Sequence, residues 1–290
     1  MSGIKKVRIG GVNEHFNLPW IKLSENKNSS LGFELEWKAF AGGTGVLTNA
    51  LHQNEIDLAV LLTEGLILDI LIPKAIGNKK LRLICFHVEN PLRWAIHVRE
   101  NEIITDEYFK NKKFAVSRIG SGSHTMAKVL LNEKKVNYSD QNMLEVGSLE
   151  GGLKAVNEKK ADIFLWEKFT TQPFLNEYKL KSIGEVLTPW PPFSLASTLE
   201  YFEENKSLIE EILAEVRKQI DTIKNDSTIT AEFLKRWNIA PENAQNWLSE
   251  IKWNNQIPVS NVKLASVLDN MFKSGLIEEV KISESEIVAV

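Results

Sequence analysis

The chain has 290 residues, 43% hydrophobic and 25% charged, and its 35 basic and 38 acidic residues leave a formal charge of −3. This composition excludes a disordered, collagen-like or disulfide-stapled chain, and the near-neutral charge gives no indication of a nucleic-acid or membrane surface. The length predicts two domains, and a single cysteine, Cys85, excludes an intrachain disulfide.

The start of the chain runs directly into an apolar segment of strand type, residues 7–12. No apolar stretch with a cleavage site precedes it, so no signal peptide is expected. The longest apolar run, residues 66–73, is too short to cross a bilayer. We therefore expect a cytoplasmic protein as the sequence stands. The alternative is a periplasmic protein, or one anchored on the outside of a membrane, whose leader has been removed.

The first third of the chain predicts strands that alternate with helices. Strands are expected at 7–12, 33–40 and 56–62, and a helix opens at the Gly-rich turn 42–45. This alternation is typical of parallel β-α-β units.

A similar arrangement returns further along the chain. The expected elements are strands at 113–117, 144–146 and 161–166, and helices that open at 120–124 and at 150. Segments 50–57 and 155–162 resemble each other, and a Gly-Gly pair stands before each. We interpret the chain as two units built on one plan.

The last third is predicted to be helical. Ser207 and Glu210 form a capping box before a long apolar stripe, Pro241 stands at the first turn of another helix, and a final helix is expected from Ser260 to Gly275. We assign these helices to packing rather than to chemistry.

Several segments together resemble the type 2 periplasmic-binding-protein superfamily. They are EWKAFAGG at 36–43, AL at 50–51, EIDLA at 55–59, FKNKKFAV at 109–116, GSGSH at 120–124, residues 152–162 and PWPPF at 189–193. Within that superfamily the chain is most similar to the NMT1/THI5-like group of substrate-binding proteins, which serve ABC transporters for sulfonates, nitrate and thiamine precursors. The resemblance covers most of the chain to about residue 200.

The resemblance implies an α/β, two-lobed fold in which each lobe is a β-sheet flanked by helices, with a cleft between the lobes. It implies a discontinuous first lobe, residues 1–88 and 191–290, and a second lobe, residues 89–190. A ligand is expected between the lobes at the carboxyl ends of the strands, where open α/β sheets bind ligands.

The strongest candidate for ligand contact is the segment 118–124, between a predicted strand and a predicted helix. Free N–H groups at a helix N-terminus favour an anion, and glycines let a ligand approach the backbone. The candidate contacts are Arg118, Ser121, Gly122, Ser123 and His124. The alternative is that Ser123 caps the helix and the glycines form a tight turn.

Further candidates follow the other strands or lie at the second crossover. They are Asn13, His15 and Phe16 after the first strand, Gly43 and Thr44 in the Gly-rich turn, Thr63 and Glu64 after the third strand, Trp166, and Trp190. The turn matches neither the Walker nor the Rossmann glycine pattern, and a plain helix start is its alternative. The two tryptophans are proposed to stack on a ring or enclose an apolar tail, with hydrophobic packing as their alternative.

The sequence contains no motif that indicates a metal site or a catalytic nucleophile. No histidine or cysteine spacing indicates a zinc site, and no Gly-x-Ser-x-Gly elbow is present. Cys85 is enclosed by apolar residues and is expected to be inert. We therefore expect no metal and no cofactor. The single cysteine also departs from the cysteine-rich fungal thiamine-pyrimidine synthases, which argues against their activity.

The resulting hypothesis is a solute-binding protein rather than an enzyme. It would close its lobes on a small organic ligand that is anionic or heterocyclic, such as a sulfonate, a carboxylate or a thiamine-precursor pyrimidine, with an ABC transporter permease as partner and no contact with nucleic acid or membrane interior. The alternative is a cytosolic enzyme on the same fold, in thiamine-pyrimidine or related cofactor metabolism. Its acid–base candidates are Glu14, Glu64, Glu150, Glu167, His15 and His124.

Overall fold

The structure is a computed structural model that describes residues 4–26, 31–72, 79–278 and 284–289. The prediction about the start of the chain falls partly on residues 1–3, and the predicted apolar run ends on residue 73; these four residues lie outside the described ones. In the part of the chain that is described, no helix is both long and apolar enough to reach across a bilayer.

The described residues form ten strands, eleven α-helices and three short 3-10 helices. The strands are β1 (Lys5–Gly11), β2 (Phe33–Ala39), β3 (Leu58–Leu62), β4 (Leu81–Val88), β5 (Arg93–Arg99), β6 (Phe114–Val116), β7 (Met143–Glu145), β8 (Ile163–Glu167), β9 (Leu180–Leu187) and β10 (Phe193–Thr198). The helices are α1 (Leu18–Glu25), α2 (Thr44–His52), α3 (Thr63–Leu71), α4 (Gly122–Glu133), α5 (Leu149–Asn157), α6 (Lys168–Thr171), α7 (Leu199–Asn225), α8 (Ile229–Trp237), α9 (Pro241–Glu250), α10 (Asn261–Lys273) and α11 (Glu284–Ile287).

Two five-stranded sheets follow the same plan. The strand order is β2-β1-β3-β10-β4 in the first sheet and β7-β6-β8-β5-β9 in the second. In each sheet the first three strands are parallel, as the β-α-β alternation predicts. The fourth strand, β10 or β5, runs antiparallel to both of its neighbours. The alternation does not predict these antiparallel strands, which are the first strands after each passage of the chain between the sheets.

Each sheet with the helices packed on it is here called a lobe. The chain passes from the first lobe to the second over residues 89–92 and returns over residues 188–192. Prolines occupy both passages, where they stiffen extended backbone. The predicted division at 88/89 and 190/191 lies beside or within these passages, and the exact lobe boundaries stay a prediction.

Helix α7 corrects the predicted helix start at Ser207. The helix begins eight residues earlier, at Leu199, and is kinked at Asn205, whose φ of −130° and ψ of 20° are not helical. Asn205 Nδ2 donates to the Tyr201 carbonyl oxygen at 2.8 Å, and Asn205 Oδ1 accepts from Lys5 Nζ. Such side-chain bonds to nearby backbone bend helices. Both residues of the predicted capping box therefore lie inside one kinked helix.

The C-terminal helices contact both lobes. Glu250 at the end of α9 pairs with Arg93 of β5 at 2.9 Å, and the carbonyl oxygen of Ser274 after α10 accepts from Asn132 Nδ2 at 2.8 Å. Between these helices, Trp253 forms a bridge to the edge strand β4. The assignment of residues 191–290 to the first lobe stays a prediction, and Glu250 and Ser274 also contact the second lobe.

Candidate functional site

A cavity of about 830 Å³ lies between the two lobes. Its apolar walls come from both of them, with Phe40 and Phe193 in the first lobe and Trp94 and Trp166 in the second. The rings of Trp94 and Trp166 meet edge to face, with centroids 6.3 Å apart. A concave, largely apolar space with a few polar groups is the usual form of a small-molecule site.

The first residues of three helices line this cavity. Helix α2 begins after Gly43, α4 after Ser121 and α5 after Ser148, and all three N-caps are part of the lining. The first N–H groups of a helix have no partner within it, and the helix dipole adds positive potential there. Three such helix starts around one cavity favour a ligand with a negatively charged group.

The start of α4 is held by hydrogen bonds among its serines. Ser121 Oγ donates to the Arg118 carbonyl oxygen at 2.6 Å and accepts from the His124 N–H at 3.4 Å. Ser123 Oγ accepts from the Ser117 N–H at 2.9 Å. Ser121 is therefore the capping residue, and the prediction that Ser123 caps the helix is wrong. Ser123 instead ties the first turn of the helix back to the end of β6.

The start of α2 has a different local geometry. Gly43, its N-cap, has a φ of +66° that other residues rarely adopt, and nothing lies within 4 Å of where a Cβ would stand. Thr44 Oγ1 accepts from the Leu62 N–H at 3.1 Å, which links the helix start to the end of β3. The backbone at this turn is therefore open to the cavity.

The lobes contact each other at the edge of the cavity. Arg118 of the second lobe donates from Nη1 to the Gly42 carbonyl oxygen of the first at 2.6 Å. A Cβ on Gly122 would lie 2.6 Å from Leu62 Cδ1 and 2.9 Å from Trp94 Cη2. The absence of a side chain at Gly122 thus allows the two lobes to approach closely. Burial lowers the pKa of the Arg118 guanidinium.

Four glutamates line the cavity, Glu14 from the first lobe and Glu150, Glu167 and Glu177 from the second, and Glu150 and Glu177 are exposed. Glu14 follows β1, and Glu167 is the last residue of β8. Burial, with a smaller effect from the charge of Glu167, raises the pKa of Glu14 to about 8. Burial also raises the pKa of Glu167 to about 7, although hydrogen bonds from the N–H and Oγ1 of Thr170, both 2.7 Å long, oppose that shift.

The structure brings eight of the fourteen sequence-predicted site residues into the cavity lining. They are Asn13, Gly43, Thr44, Arg118, Ser121, Gly122, Ser123 and Trp166. The other six, His15, Phe16, Thr63, Glu64, His124 and Trp190, lie outside the lining. For each of these six, the neighbouring side chains give the reason.

Two of the six, His15 and Phe16, pack in an aromatic cluster of the first lobe. His15 is 1% exposed, and its ring centroid lies 4.5 Å from those of Phe16 and Trp247. Burial lowers the pKa of His15 to about 3, so the ring is neutral at physiological pH. Phe16 stacks on Phe193 with centroids 4.7 Å apart. Both side chains turn inward because they follow the strand in a single 3-10 turn.

Three others form hydrogen bonds behind the strand ends. Thr63 Oγ1 shares a hydrogen bond of 2.7 Å with Ser194 Oγ. Trp190 Nε1 donates to Glu64 Oε2 at 3.0 Å, with both side chains buried. These contacts join the start of α3 to the return passage of the chain, so the predicted ring contact of Trp190 is replaced by a structural role.

The sixth residue, His124, turns away from the cavity. Its Nδ1 accepts from the Gly120 N–H at 2.9 Å, so the neutral ring carries its proton on Nε2. That Nε2 lies 3.6 Å from Asp140 Oδ1 on the outer side of the helix. The ring therefore stabilises the turn before α4 rather than facing a ligand.

Sequence reasoning missed several lining residues. Glu14, Glu150 and Glu167 appear there as acid–base candidates for the enzyme alternative rather than among the ligand contacts, and Trp94 and Ser148 do not appear at all. For Ser148 a signal existed, because Gly147-Ser148 before α5 repeats the Gly120-Ser121 pattern before α4. The described residues contain no group of three or more His, Cys, Asp or Glu side chains arranged to hold a metal ion.

Comparison with known proteins supports this architecture. The sequence model of the Ca3427-like periplasmic binding protein (PBP) family matches residues 94–186, about a third of the chain. No curated protein sequence matches the chain. The chain thus resembles this family over the second lobe, and the narrower NMT1/THI5-like assignment stays a prediction.

Solved structures with the same architecture cover nearly the whole chain. The Candida albicans CA3427 gene product, described as having the generic periplasmic binding protein fold, is 24% identical with a TM-score of 0.84, over 96% of this chain and 92% of that one. The alkanesulfonate-binding protein SsuA from Xanthomonas axonopodis pv. citri, bound to MOPS, is 15% identical with a TM-score of 0.76, over 100% and 98%. PhnD1 from Prochlorococcus marinus, in complex with methylphosphonate, is 14% identical with a TM-score of 0.60, over 94% and 99%. The chain has the two-lobed type 2 periplasmic-binding-protein fold.

Proposed function

We propose that the chain is a solute-binding protein that holds a small organic anion in the cavity between its lobes. The observation that carries this proposal is the convergence of three helix N-termini, those of α2, α4 and α5, on one cavity. Backbone N–H groups at helix starts bind sulfonate, phosphonate or carboxylate groups without a protein cation. Closure of the lobes excludes water and strengthens these bonds.

The fold neighbours support the same class of ligand. SsuA is an alkanesulfonate-binding protein with MOPS bound, and PhnD1 is in complex with methylphosphonate. Both ligands carry an acidic oxygen group on an organic body. The aromatic walls at Trp94 and Trp166 suit such an organic body. They would also suit the heterocyclic ring of a thiamine-precursor pyrimidine. The proposed ligand contacts are the eight predicted residues that line the cavity.

Calorimetric titration with a panel of sulfonates, phosphonates, carboxylates and pyrimidines tests the proposal. The variant Ser121→Asp keeps a good helix cap but places a negative charge at the start of α4. We expect it to weaken binding of an anion by about tenfold or more, since like charges repel strongly in a partly buried site. Ser139→Asp is the matched control, because Ser139 also precedes a helical turn in the second lobe but is exposed and outside the cavity.

The outcomes separate clearly. Binding of an organic anion that is lost in Ser121→Asp and kept in Ser139→Asp supports the proposal. If no compound of the panel binds or raises the melting temperature, the solute-binding role is refuted. If an anion binds equally well to both variants, the start of α4 is not its site.

An ABC transporter permease remains the proposed partner. The resemblance to substrate-binding proteins of importers supports it, since those proteins deliver their ligand from between closed lobes. A reconstituted importer whose ATP hydrolysis is stimulated by the liganded chain, and not by the empty chain, is the expected result.

A second candidate function is an enzyme on the same fold. Glu14 and Glu167 favour it, because burial places their pKa values at about 8 and 7, in the range where general acids and bases work at neutral pH. Proton NMR of a bound ligand during prolonged incubation distinguishes the two functions. An unchanged spectrum supports a binding protein, and new product signals establish an enzyme.

A further inference from the structure

Four glutamates line the cavity, and two of them, Glu14 and Glu167, are less exposed than Glu150 and Glu177 and form no ion pair with a Lys or Arg among the described residues. The carboxyl group of Glu14, in the first lobe, makes no hydrogen bond with any described residue, and its strongest interaction with another side chain is with the charge of Glu167 in the second lobe. Glu167 is 4% exposed, and its Oε2 is held by Thr170. Both side chains line the same cavity. The two carboxyl groups therefore share one space between the lobes.

The nearby basic groups do not neutralise this pair. His15 Nε2 lies 3.9 Å from Glu167 Oε2, but burial holds the pKa of His15 near 3, so its ring is uncharged. Lys168 follows Glu167 in the chain, but its ammonium pairs with Glu185 at 2.7 Å. Arg118 is the one Lys or Arg among the described lining residues, and its Nη1 donates to the Gly42 carbonyl oxygen.

The raised pKa values of Glu14 and Glu167 are consistent with a missing cation. Each carboxyl holds its proton near neutral pH because ionisation in this apolar space, next to another carboxyl, is unfavourable. A positive charge between the two carboxyls removes that penalty, and hydrogen bonds to ionised carboxylates are roughly twice as strong as neutral ones.

We propose that the ligand is bipolar, with a cationic nitrogen between Glu14 and Glu167 in addition to the anionic group at the helix N-termini. The proposal rests on the proposed function and adds a second point of recognition to it. The class of ligand is a zwitterion: an aminosulfonate, an aminophosphonate, an amino acid, or an acid that carries a basic heterocycle. The aromatic walls enclose the body between the two charged ends.

Pairs of ligands of equal size test directly whether a cationic nitrogen is recognised between Glu14 and Glu167. We use calorimetry at neutral pH with 3-aminopropane-1-sulfonate and butane-1-sulfonate, which differ only by an ammonium group in place of a terminal methyl. A longer pair, 5-aminopentane-1-sulfonate and hexane-1-sulfonate, covers a wider separation of the poles. We expect the amino compound of at least one pair to bind about tenfold more tightly, the effect of one desolvated charge pair.

Variants test whether the carboxyls of Glu14 and Glu167 cause the preference for the amino compound. In the double variant Glu14→Gln, Glu167→Gln, the preference for the amino compound, measured as the ratio of its affinity to that of the matched alkanesulfonate, should disappear, since Gln keeps the size and the acceptor for Thr170 but carries no charge. Glu133→Gln, an exposed glutamate at the end of α4, is the control and should keep the preference.

The possible failures are distinguishable. If the alkanesulfonates bind as tightly as both amino compounds, the proposal of a bipolar ligand is wrong, but the proposed anion site is still supported. A preference that survives in the double variant overturns the role of the glutamates. If none of the four probes binds, the anion site itself fails and the bipolar ligand fails with it.

Discussion

Arg118 of the second lobe donates a hydrogen bond of 2.6 Å to the carbonyl oxygen of Gly42 in the first lobe. The bond crosses the cleft next to the cavity, and the guanidinium also fills the space beside Gly45, where a Cβ would lie 3.0 Å from Nη2. The two lobes are therefore in direct contact beside the cavity. A charged donor on a backbone carbonyl is among the stronger single hydrogen bonds, at about 1.5–3 kcal/mol.

Arg118→Ala should open the empty protein. Loss of this bond shifts the equilibrium between closed and open lobes by about tenfold toward the open form. Small-angle X-ray scattering without ligand should then show a larger radius of gyration than the unaltered chain. Lys110→Ala is the control, because Lys110 is an exposed cation of the same lobe that pairs only with its neighbour Glu107. An unchanged radius for Arg118→Ala would mean that other contacts hold the lobes together.

Gly122→Val should prevent full closure without unfolding either lobe. A Cβ at this position would lie 2.6 Å from Leu62 Cδ1 of the opposite lobe and 2.9 Å from the Trp94 ring, so a branched side chain must push the lobes apart. We expect at least about tenfold weaker ligand binding, because the ligand then loses its contacts to one lobe. Gly32→Val is the control: the nearest atom to its Cβ is a flexible Glu211 carboxylate oxygen at 3.5 Å. Equal affinities in the two variants would show that closure tolerates a side chain at position 122.

Cys85 should react with thiol reagents only when the first lobe unfolds. It lies in β4 paired with Leu195, is fully buried, and burial raises the pKa of its thiol to about 12. Thiolate is the reactive form, so both access and ionisation are blocked in the folded protein. Ellman's reagent should therefore label the single cysteine only after denaturant is added, and a bound ligand should slow labelling further at intermediate denaturant. Stoichiometric labelling of the native chain would contradict the burial of β4.

The sequence predicts the parallel strands β1, β2, β3, β6, β7 and β8 because they carry local signals, whereas β4, β9 and β10 are not among the predicted strands. Period-two and helical apolar patterns define β1 and α2, and Gly-Ser before α4 predicts a helix start. The capping box at Ser207 lies two residues after Asn205, where two helical stretches meet, so it marks the second stretch and misses the first, which begins at Leu199. Asn205 Oδ1 also accepts from Lys5 Nζ, a contact two hundred residues away that no local pattern contains.

The residues that line the cavity can be predicted from the sequence only where the local backbone geometry places them there. The N-termini of α2 and α4 follow from glycine and serine at strand ends, and both line the cavity. His15 and Trp190 follow strand ends equally well, yet each is turned into the core by partners distant in sequence, Trp247 and Glu64. Similarly, the repeated Gly-Gly pairs differ in role. Gly43 provides a positive φ at the cavity, whereas a Cβ on Gly152 would lie 2.3 Å from the Phe164 ring inside the second lobe.

The buried carboxyl of Glu64 gives the fold a pH dependence. It is 1% exposed, its Oε2 accepts from Trp190 Nε1, and its Oε1 has no hydrogen-bond partner among the described residues. Burial raises its pKa from the ordinary value of 4.5 to about 7, while the Trp190 bond opposes that shift. Between these two pH values the folded chain binds a proton that the unfolded chain has released. The free energy of unfolding therefore decreases as pH rises from about 4.5 to about 7 and loses nothing more from this group above that range.

Glu64→Gln should remove this contribution. The amide keeps an acceptor for Trp190 Nε1 but cannot ionise, so the variant should gain stability relative to the unaltered chain as pH rises from 5 to 8, by on the order of 1–3 kcal/mol. Urea unfolding at pH 5 and pH 8 measures the free energy of unfolding of both chains. Subtracting the value of the unaltered chain from that of the variant at each pH removes the contribution of every other titrating group. Glu133→Gln, on the exposed surface of α4, should show no such change. Trp190→Phe should instead lose stability at both pH values, because the buried Glu64 Oε2 then loses the Trp190 donor whether the carboxyl is ionised or neutral. A Glu64→Gln stability difference that is the same at pH 5 and pH 8 would show that this carboxyl does not titrate in that range in the folded chain.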